Sequence, residues 1–283
     1  MMGRLKRVRL SLSVLKASSR PRGEEMMRHL WKKHIWSHWV AVHAMKEESK
    51  DTVSSRPLIV YTTAAVSLTY LHYYGQAGFF VKAFGKYLKG NSYFDLYAQL
   101  FWSASCLLGY VLIPCLIIAV LPGEKIRDHG LSIKGFFRHL WIYAILFAGV
   151  FPFIFMSSFT NRFLSVYPFY YLSWRSGVEF LIFETAYLLQ FFALEFFFRG
   201  FLLFGVVRYI GVYAIPAMVV PYCMIHFKAK PFPETLAAII AGLVLGTLAL
   251  RTRSIWPGVL IHCSVALSMD LLSMMHKGWF AGW

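Results

Sequence analysis

Apolar runs of bilayer-crossing length recur along the chain from residue 58 almost to its end. A spanning helix needs about 20 predominantly apolar residues. The runs at 98–121 and 140–160 contain no charged residue, and 58–74 is a shorter first run. The stretch 177–207 is interrupted only by Glu179, Glu184, Glu195 and Arg199. The run 209–225 is uncharged but holds Pro216 and Pro221, which predicts a kinked helix. Runs at 235–250 and 254–275 complete the set, the last carrying His262 and Asp270. The pattern predicts an all-α polytopic transmembrane helix bundle with about seven spans, within a range of six to eight.

Composition strengthens that reading. Of 283 residues, 58% are hydrophobic and 15% are charged, against about 45–50% and 25% in soluble domains. Aromatics reach 18%, which suits interfacial belts. Soluble enzymes, disordered tails and secreted disulfide frameworks are disfavoured together. The four cysteines, Cys106, Cys115, Cys223 and Cys263, lie in apolar runs without CxxC spacing, so neither a zinc knuckle nor a disulfide frame is indicated.

The net charge of +16 would suggest nucleic acid in a soluble domain, but its distribution points to lipid. Residues 1–56 hold 13 basic and 5 acidic side chains, ahead of the first apolar run. This predicts positive-inside topology and attraction to anionic headgroups, with membrane lipids as partners and no nucleic acid. With the arm inside, the loops at 122–139, near Arg208, and at Arg251 and Arg253 are inside too. The opposing loops carry Lys82, Lys86, Lys89, Lys228 and Lys230, so the asymmetry is modest. The arm shows no secretory signal, and Met26, Met27 and Met45 are alternative starts. The expected organisation is a basic cytoplasmic arm at 1–57, N-terminal transmembrane helices at 58–124 and a transmembrane core at 125–283. The expected location is the plasma (inner) membrane of a bacterium.

Ionisable groups inside hydrocarbon cost at least about 2.5–3.5 kcal/mol each on insertion scales, so those present mark function or a buried pair. They are Glu184, Glu195, Arg199, His226, His262 and Asp270. Glu195 and Arg199 stand at i,i+4 in the favourable orientation for an ion pair on one helix face. Alone, that pair is equally well a structural device fixing helix packing. Glu184 lies three turns earlier on the same face, about 16 Å away along the axis. His226 ends the fifth run, a place where an interfacial histidine is common, whereas His262 lies deep in Gly258-Val259-Leu260-Ile261-His262-Cys263. Glu195, His226 and His262 on three helices could also hold zinc, although no HExxH-type spacing supports a metal. Otherwise no cofactor is expected.

The order of these groups carries more than any one of them. Glu195-x-x-x-Arg199-Gly200-Phe201, then Tyr222-x-x-x-His226, then Arg251-Thr252-Arg253-Ser254-Ile255-Trp256-Pro257 leading to His262, follow within about 70 residues. This resembles the CAAX-protease and bacteriocin-processing (CPBP, or Abi) family of intramembrane proteases, which includes the type II CAAX prenyl endopeptidase. The segment Asp128-His129-Gly130-Leu131-Ser132-Ile133-Lys134-Gly135 also resembles the family's lead-in, so the likeness covers roughly 125–275. The family's motifs are Glu-Glu-x-x-x-Arg, Phe-x-x-x-His and His-x-x-x-Asn.

The resemblance implies a glutamic-type endopeptidase whose catalytic residues are Glu195, His226 and His262. Glu195 and His226 would polarise a water, His262 would donate to the developing oxyanion, and Arg199 would hold Glu195 ionised. The implied substrate is a membrane-anchored peptide or protein, cut near a lipid anchor or a C-terminal membrane or sorting signal.

Two positions depart from the family pattern. Leu194 stands where the family has the glutamate assigned as base, and Ala266 stands where it has an asparagine. Neighbouring helical positions differ by 100°, so Glu195 can serve only if the helix is locally rotated. Asp270, two turns past His262, is a candidate substitute. A second function follows from the same departures: a scaffold of this fold that binds and regulates a membrane partner protein without cleaving it. A transporter would show repeat symmetry, and none stands out.

Overall fold

The computed structural model describes residues 54–282, apart from 89, 135, 138, 139 and 228–231, with isolated positions between 26 and 40. The predicted basic arm therefore lies outside the described residues except for those positions and 54–57. The described chain is helical; its single β-type contact is an isolated bridge between Leu131 and Ser254.

Helix α1 (Arg56–Tyr73) begins with Pro57, whose missing N–H costs nothing in a first helical turn. Helix α2 (Ala77–Leu88) follows. Helix α3 (Phe94–Leu107) runs through a π-helical turn at Leu108–Leu112 into α4 (Ile113–Val120), one apolar rod of 27 residues. Pro114 cannot donate to the helix ladder, and the wider turn sits immediately before it. Helix α5 (Leu140–Ser157) is apolar on nearly all sides and mostly unburied, as a lipid-facing helix is. The short helix α6 (Asn161–Val166) is capped by Thr160, which accepts from the Phe163 N–H.

The centre of the molecule is a 48-residue helical run, Gly177–Met224. Helix α7 (Gly177–Glu195) is capped by Ser176, which accepts from the Val178 N–H. It passes into a π-helical segment, Phe196–Leu203, and then into α8 (Phe204–Ile210). All eight residues of the π segment are buried. A segment that is hydrophobic on every side must be enclosed by other helices. Gly211, at φ +59°, breaks the axis before α9 (Ala214–Met224), which contains Pro221. Helices α10 (Phe232–Thr252) and α11 (Trp256–His276) close the bundle.

Five of these rods are long and apolar enough to cross a membrane: Phe94–Val120, Leu140–Ser157, Gly177–Met224, Phe232–Thr252 and Trp256–His276. The expected seven spans map onto them with two differences. The run 58–74 forms helix α1, but α1 carries too many polar residues to rank with the five. The expected fourth and fifth spans belong to one helical run, divided at Gly211 rather than at a polar loop. The chain is thus an all-α polytopic membrane protein.

Two stretches singled out in the sequence meet in space. The Ile255 N–H donates to the Gly130 carbonyl at 2.9 Å, the Ser254 hydroxyl to the Ser132 carbonyl at 2.6 Å, and the Trp256 indole N–H to the Leu131 carbonyl at 3.1 Å. Gly130, at φ +79°, makes this possible, because a side chain there would meet Ile255 and Phe204 at 2.8 Å. The clasp fixes where α11 starts, and hence the height of His262.

Candidate active site

Glu195 is the last residue of α7, one position before the π segment. Its carboxylate is fully buried and Oε1 lies 3.1 Å from Arg199 Nη1, the intrahelical pair the spacing predicts. The same oxygen lies 2.7 Å from His262 Nδ1 on α11. These are ion-pair approaches whose N–H directions do not line up as hydrogen bonds, so charge rather than alignment holds them. So short an approach needs a proton on one of the two groups. With Arg199 beside the carboxylate, the arrangement suits a proton on Nδ1 of His262.

Gly258 makes room for the contact. A Cβ at 258 would stand 2.1 Å from Glu195 Oε2 and 2.6 Å from its carboxyl carbon. It lies one turn before His262 on the same face of α11, so the glycine is the slot through which the carboxylate reaches the imidazole. Sequence reading passed over it, because a glycine in a transmembrane helix is common.

Tyr222 on α9 completes the junction. Its hydroxyl lies 3.1 Å from His262 Nε2, and the Arg199 guanidinium carbon sits 4.2 Å from its ring centroid. Phe191 stacks on the His262 ring at 5.8 Å. His226 follows in the turn after α9. Its Nδ1–H donates to the Tyr222 carbonyl at 2.9 Å, and its ring meets the Tyr222 ring edge-on at 5.0 Å. Tyr222 thus links both histidines, a role sequence reading missed by treating the position as an aromatic alone.

Accessibility sorts the members of the site. The Glu195 and Arg199 side chains are 1% and 0% exposed, whereas that of His262 is 16% exposed. His262 is therefore the member of the pair with exposed surface. An apolar groove of about 430 Å³ lies between α1 and α9, lined by Tyr61, Ala64, Leu68, Pro221 and Met224 among others.

Other expected site residues lie elsewhere. Asp270 is fully buried, but its carboxylate accepts from the Phe169 N–H at 3.2 and 3.3 Å, anchoring the chain between α6 and α7. Two helical turns, about 12 Å of rise, separate it from His262, so it tethers a loop and does not replace a missing base. Glu184 is buried on α7, and neither of its oxygens has a hydrogen-bond partner among the described residues. It remains three turns from Glu195, as the spacing requires. Leu194 packs against the main hydrophobic core, and Ala266 packs with Phe183 and Tyr187. Glu195 faces the site without displacement of its own helix, since the π segment begins just after it. Among the described residues no three His, Cys, Asp or Glu side chains are grouped to hold a metal ion, so Glu195, His226 and His262 do not form the alternative zinc set.

Residues 176–268 match the family model described as type II CAAX prenyl endopeptidase Rce1-like. No curated protein and no solved structure matches the chain. The matched segment, 93 of the 283 residues, runs from the cap of α7 through Glu195, Arg199, Tyr222, His226 and His262, and over it this integral membrane protein is similar to the CAAX-protease (CPBP) family of membrane endopeptidases.

Proposed function

We propose that the chain is an endopeptidase that hydrolyses a peptide bond close to a lipid anchor or a C-terminal membrane or sorting signal. The supporting observation is the 2.7 Å approach of the buried Glu195 on α7 to His262 on α11. A charged carboxylate and an imidazole, brought together in the interior and partly exposed on the imidazole side, suit acid–base work on a peptide carbonyl.

The geometry shifts the roles within the set. Glu195 is buried behind His262, so it supports the imidazole rather than meeting water itself. With its proton on Nδ1, neutral His262 has a lone pair on Nε2 and no N–H there to offer an oxyanion. His262 is then the base, Glu195 its orienting charge and Arg199 the counter-charge that keeps Glu195 ionised. His226, whose Nδ1–H is given to the Tyr222 carbonyl, orients the water. The groove between α1 and α9 borders Tyr222 in sequence and is apolar, a fit for the hydrocarbon of the substrate's anchor. The arm at 1–57 would lie on the cytoplasmic face of a bacterial inner membrane.

The test is a quenched peptide with a prenylated C-terminal cysteine motif, presented to the full chain in lipid vesicles. Wild type is expected to cleave it, and Glu195→Gln is expected to be inactive per folded molecule, with its abundance lowered by the unpaired Arg199 charge. The complete burial of Glu195 and Arg199 also suits the second reading, a scaffold that binds a membrane partner. Cellular function retained in Glu195→Gln would favour that scaffold and end the proteolytic reading.

A further inference from the structure

The lone pair on His262 Nε2 is already occupied. With a proton on Nδ1 beside Glu195, Nε2 is an acceptor, and the contact at 3.1 Å is then the Tyr222 O–H donating to it. This is the aligned hydrogen bond of His262, while its approach to Glu195 is bent. A water proton bound for His262 has to pass the phenol oxygen or displace it. Displacement is resisted, because Tyr222 is almost wholly buried, with Arg199 over its ring face and Phe198 edge-on at 5.2 Å.

We propose that Tyr222 is a catalytic residue that relays the proton from the attacking water to His262; the proposal rests on the proteolytic reading above. Water oxygen forms a bond to the peptide carbonyl carbon as the carbonyl π pair moves onto its oxygen. The water gives one proton to the phenol oxygen, and the phenol gives its own proton to Nε2. His262 becomes imidazolium between Glu195 and Tyr222, and the phenol is regenerated within the same step. Arg199, 4.2 Å from the ring centroid, places positive charge over the ring face while the proton is in flight. Collapse of the tetrahedral intermediate expels the amine, which takes the proton back from His262 through Tyr222.

The variant Tyr222→Phe removes one oxygen and keeps the ring against Arg199 and Phe198. In vesicles with the prenylated peptide, kcat is expected to fall by about 10²-fold or more with KM little changed, as loss of a proton-transfer group predicts. The plot of wild-type rate against deuterium fraction in the solvent is expected to bow, because two protons move together, and that of Tyr222→Phe to be straight. A Tyr222→Phe enzyme as fast as wild type, or faster, would show that the hydroxyl only plugs Nε2 and would overturn the relay while leaving the proteolytic reading intact. A straight wild-type plot would overturn it without any variant. A wild-type chain that cleaves nothing would remove both.

Discussion

Two clusters in this molecule use the same three residue types and do opposite things with them. In the core, Glu195 meets Arg199 and His262. At the start of α1, Glu124 meets Arg56 and His129, with His129 Nε2 at 3.3 Å from the carboxylate. In the core cluster the carboxylate and guanidinium are sealed and the imidazole is exposed. In the peripheral cluster the order reverses: Arg56 is 23% and Glu124 16% exposed, while His129 is 4% exposed. His129 is held on its other side as well, with Nδ1 3.1 Å from the Gly200 carbonyl oxygen in the π segment. An imidazole engaged at both nitrogens and shut away from water joins parts of the fold; one with an open flank can handle a proton. Under the proposed function, the difference between clasp and reaction centre lies in which member faces outward.

The largest effect that tests this contrast comes from the sealed pair. Glu195→Ala leaves Arg199 charged and unpaired in a dry interior, which costs about 3–5 kcal/mol. The expected outcome is a much lower melting temperature and lower abundance, read by thermal unfolding in detergent. The double variant Glu195→Gln with Arg199→Gln removes the charge imbalance and is expected to recover abundance without recovering cleavage. Recovery of cleavage in that variant would mean that the core cluster is only a clasp.

Next in size is the slot. Gly258→Ala places a methyl 2.1 Å from Glu195 Oε2, too close for any relaxation of the methyl alone. Either the carboxylate leaves His262 or α11 moves outward, and small-to-large changes of this kind cost about 1–3 kcal/mol. A displacement of about 1 Å at a reacting group can cost 10²-fold in rate, so cleavage is expected to fall by that order. The loss should greatly exceed what the drop in folded protein explains, as measured by rate per folded molecule.

How far the sequence reveals this arrangement depends on the physical signal involved. The apolar runs at 140–160, 235–250 and 254–275 correspond to α5, α10 and α11, because hydrocarbon thickness imposes their lengths. The Glu195–Arg199 pair follows from i,i+4 spacing alone. The π segment leaves no such mark, since Phe196-Phe197-Phe198 and Phe201-Leu202-Leu203 are apolar in every direction and carry no period. Gly258 is silent for another reason: its meaning is a carboxylate that arrives from a helix some 60 residues earlier in the chain. The partner of Glu195 likewise depends on the height of α11, set by the Gly130–Ile255 clasp. Asp270 shows the reverse failure, an ionisable residue in a span whose conspicuous position serves a loop N–H.

The peripheral cluster gives the third effect. His129→Ala strands the Gly200 carbonyl and one side of Glu124 near the π segment, and an unsatisfied buried group costs about 1–3 kcal/mol. The expected result is a lower melting temperature with kcat and KM per folded molecule unchanged. A fall in kcat comparable to that of Glu195→Gln would show that the two clusters are not separable.

The smallest effect belongs to Arg56, and it bears on why the outer cluster contains an arginine at all. Arg56 donates both to the Glu124 carboxylate and to the Pro122 carbonyl, so it fastens the start of α1 to the loop after α4. Yet a quarter-exposed ion pair is screened by water and salt, and pairs of this kind are worth about 0–1 kcal/mol. Arg56→Gln keeps a side chain able to donate to the Pro122 carbonyl and removes the charge. The melting temperature is therefore expected to fall only slightly, and the difference from wild type should shrink further as salt is raised. Burial, not charge, then separates this pair from Glu195–Arg199. A salt-independent loss as large as that of Glu195→Ala would contradict the contrast at its root, because it would mean that exposure does not decide what these ionic clusters are worth.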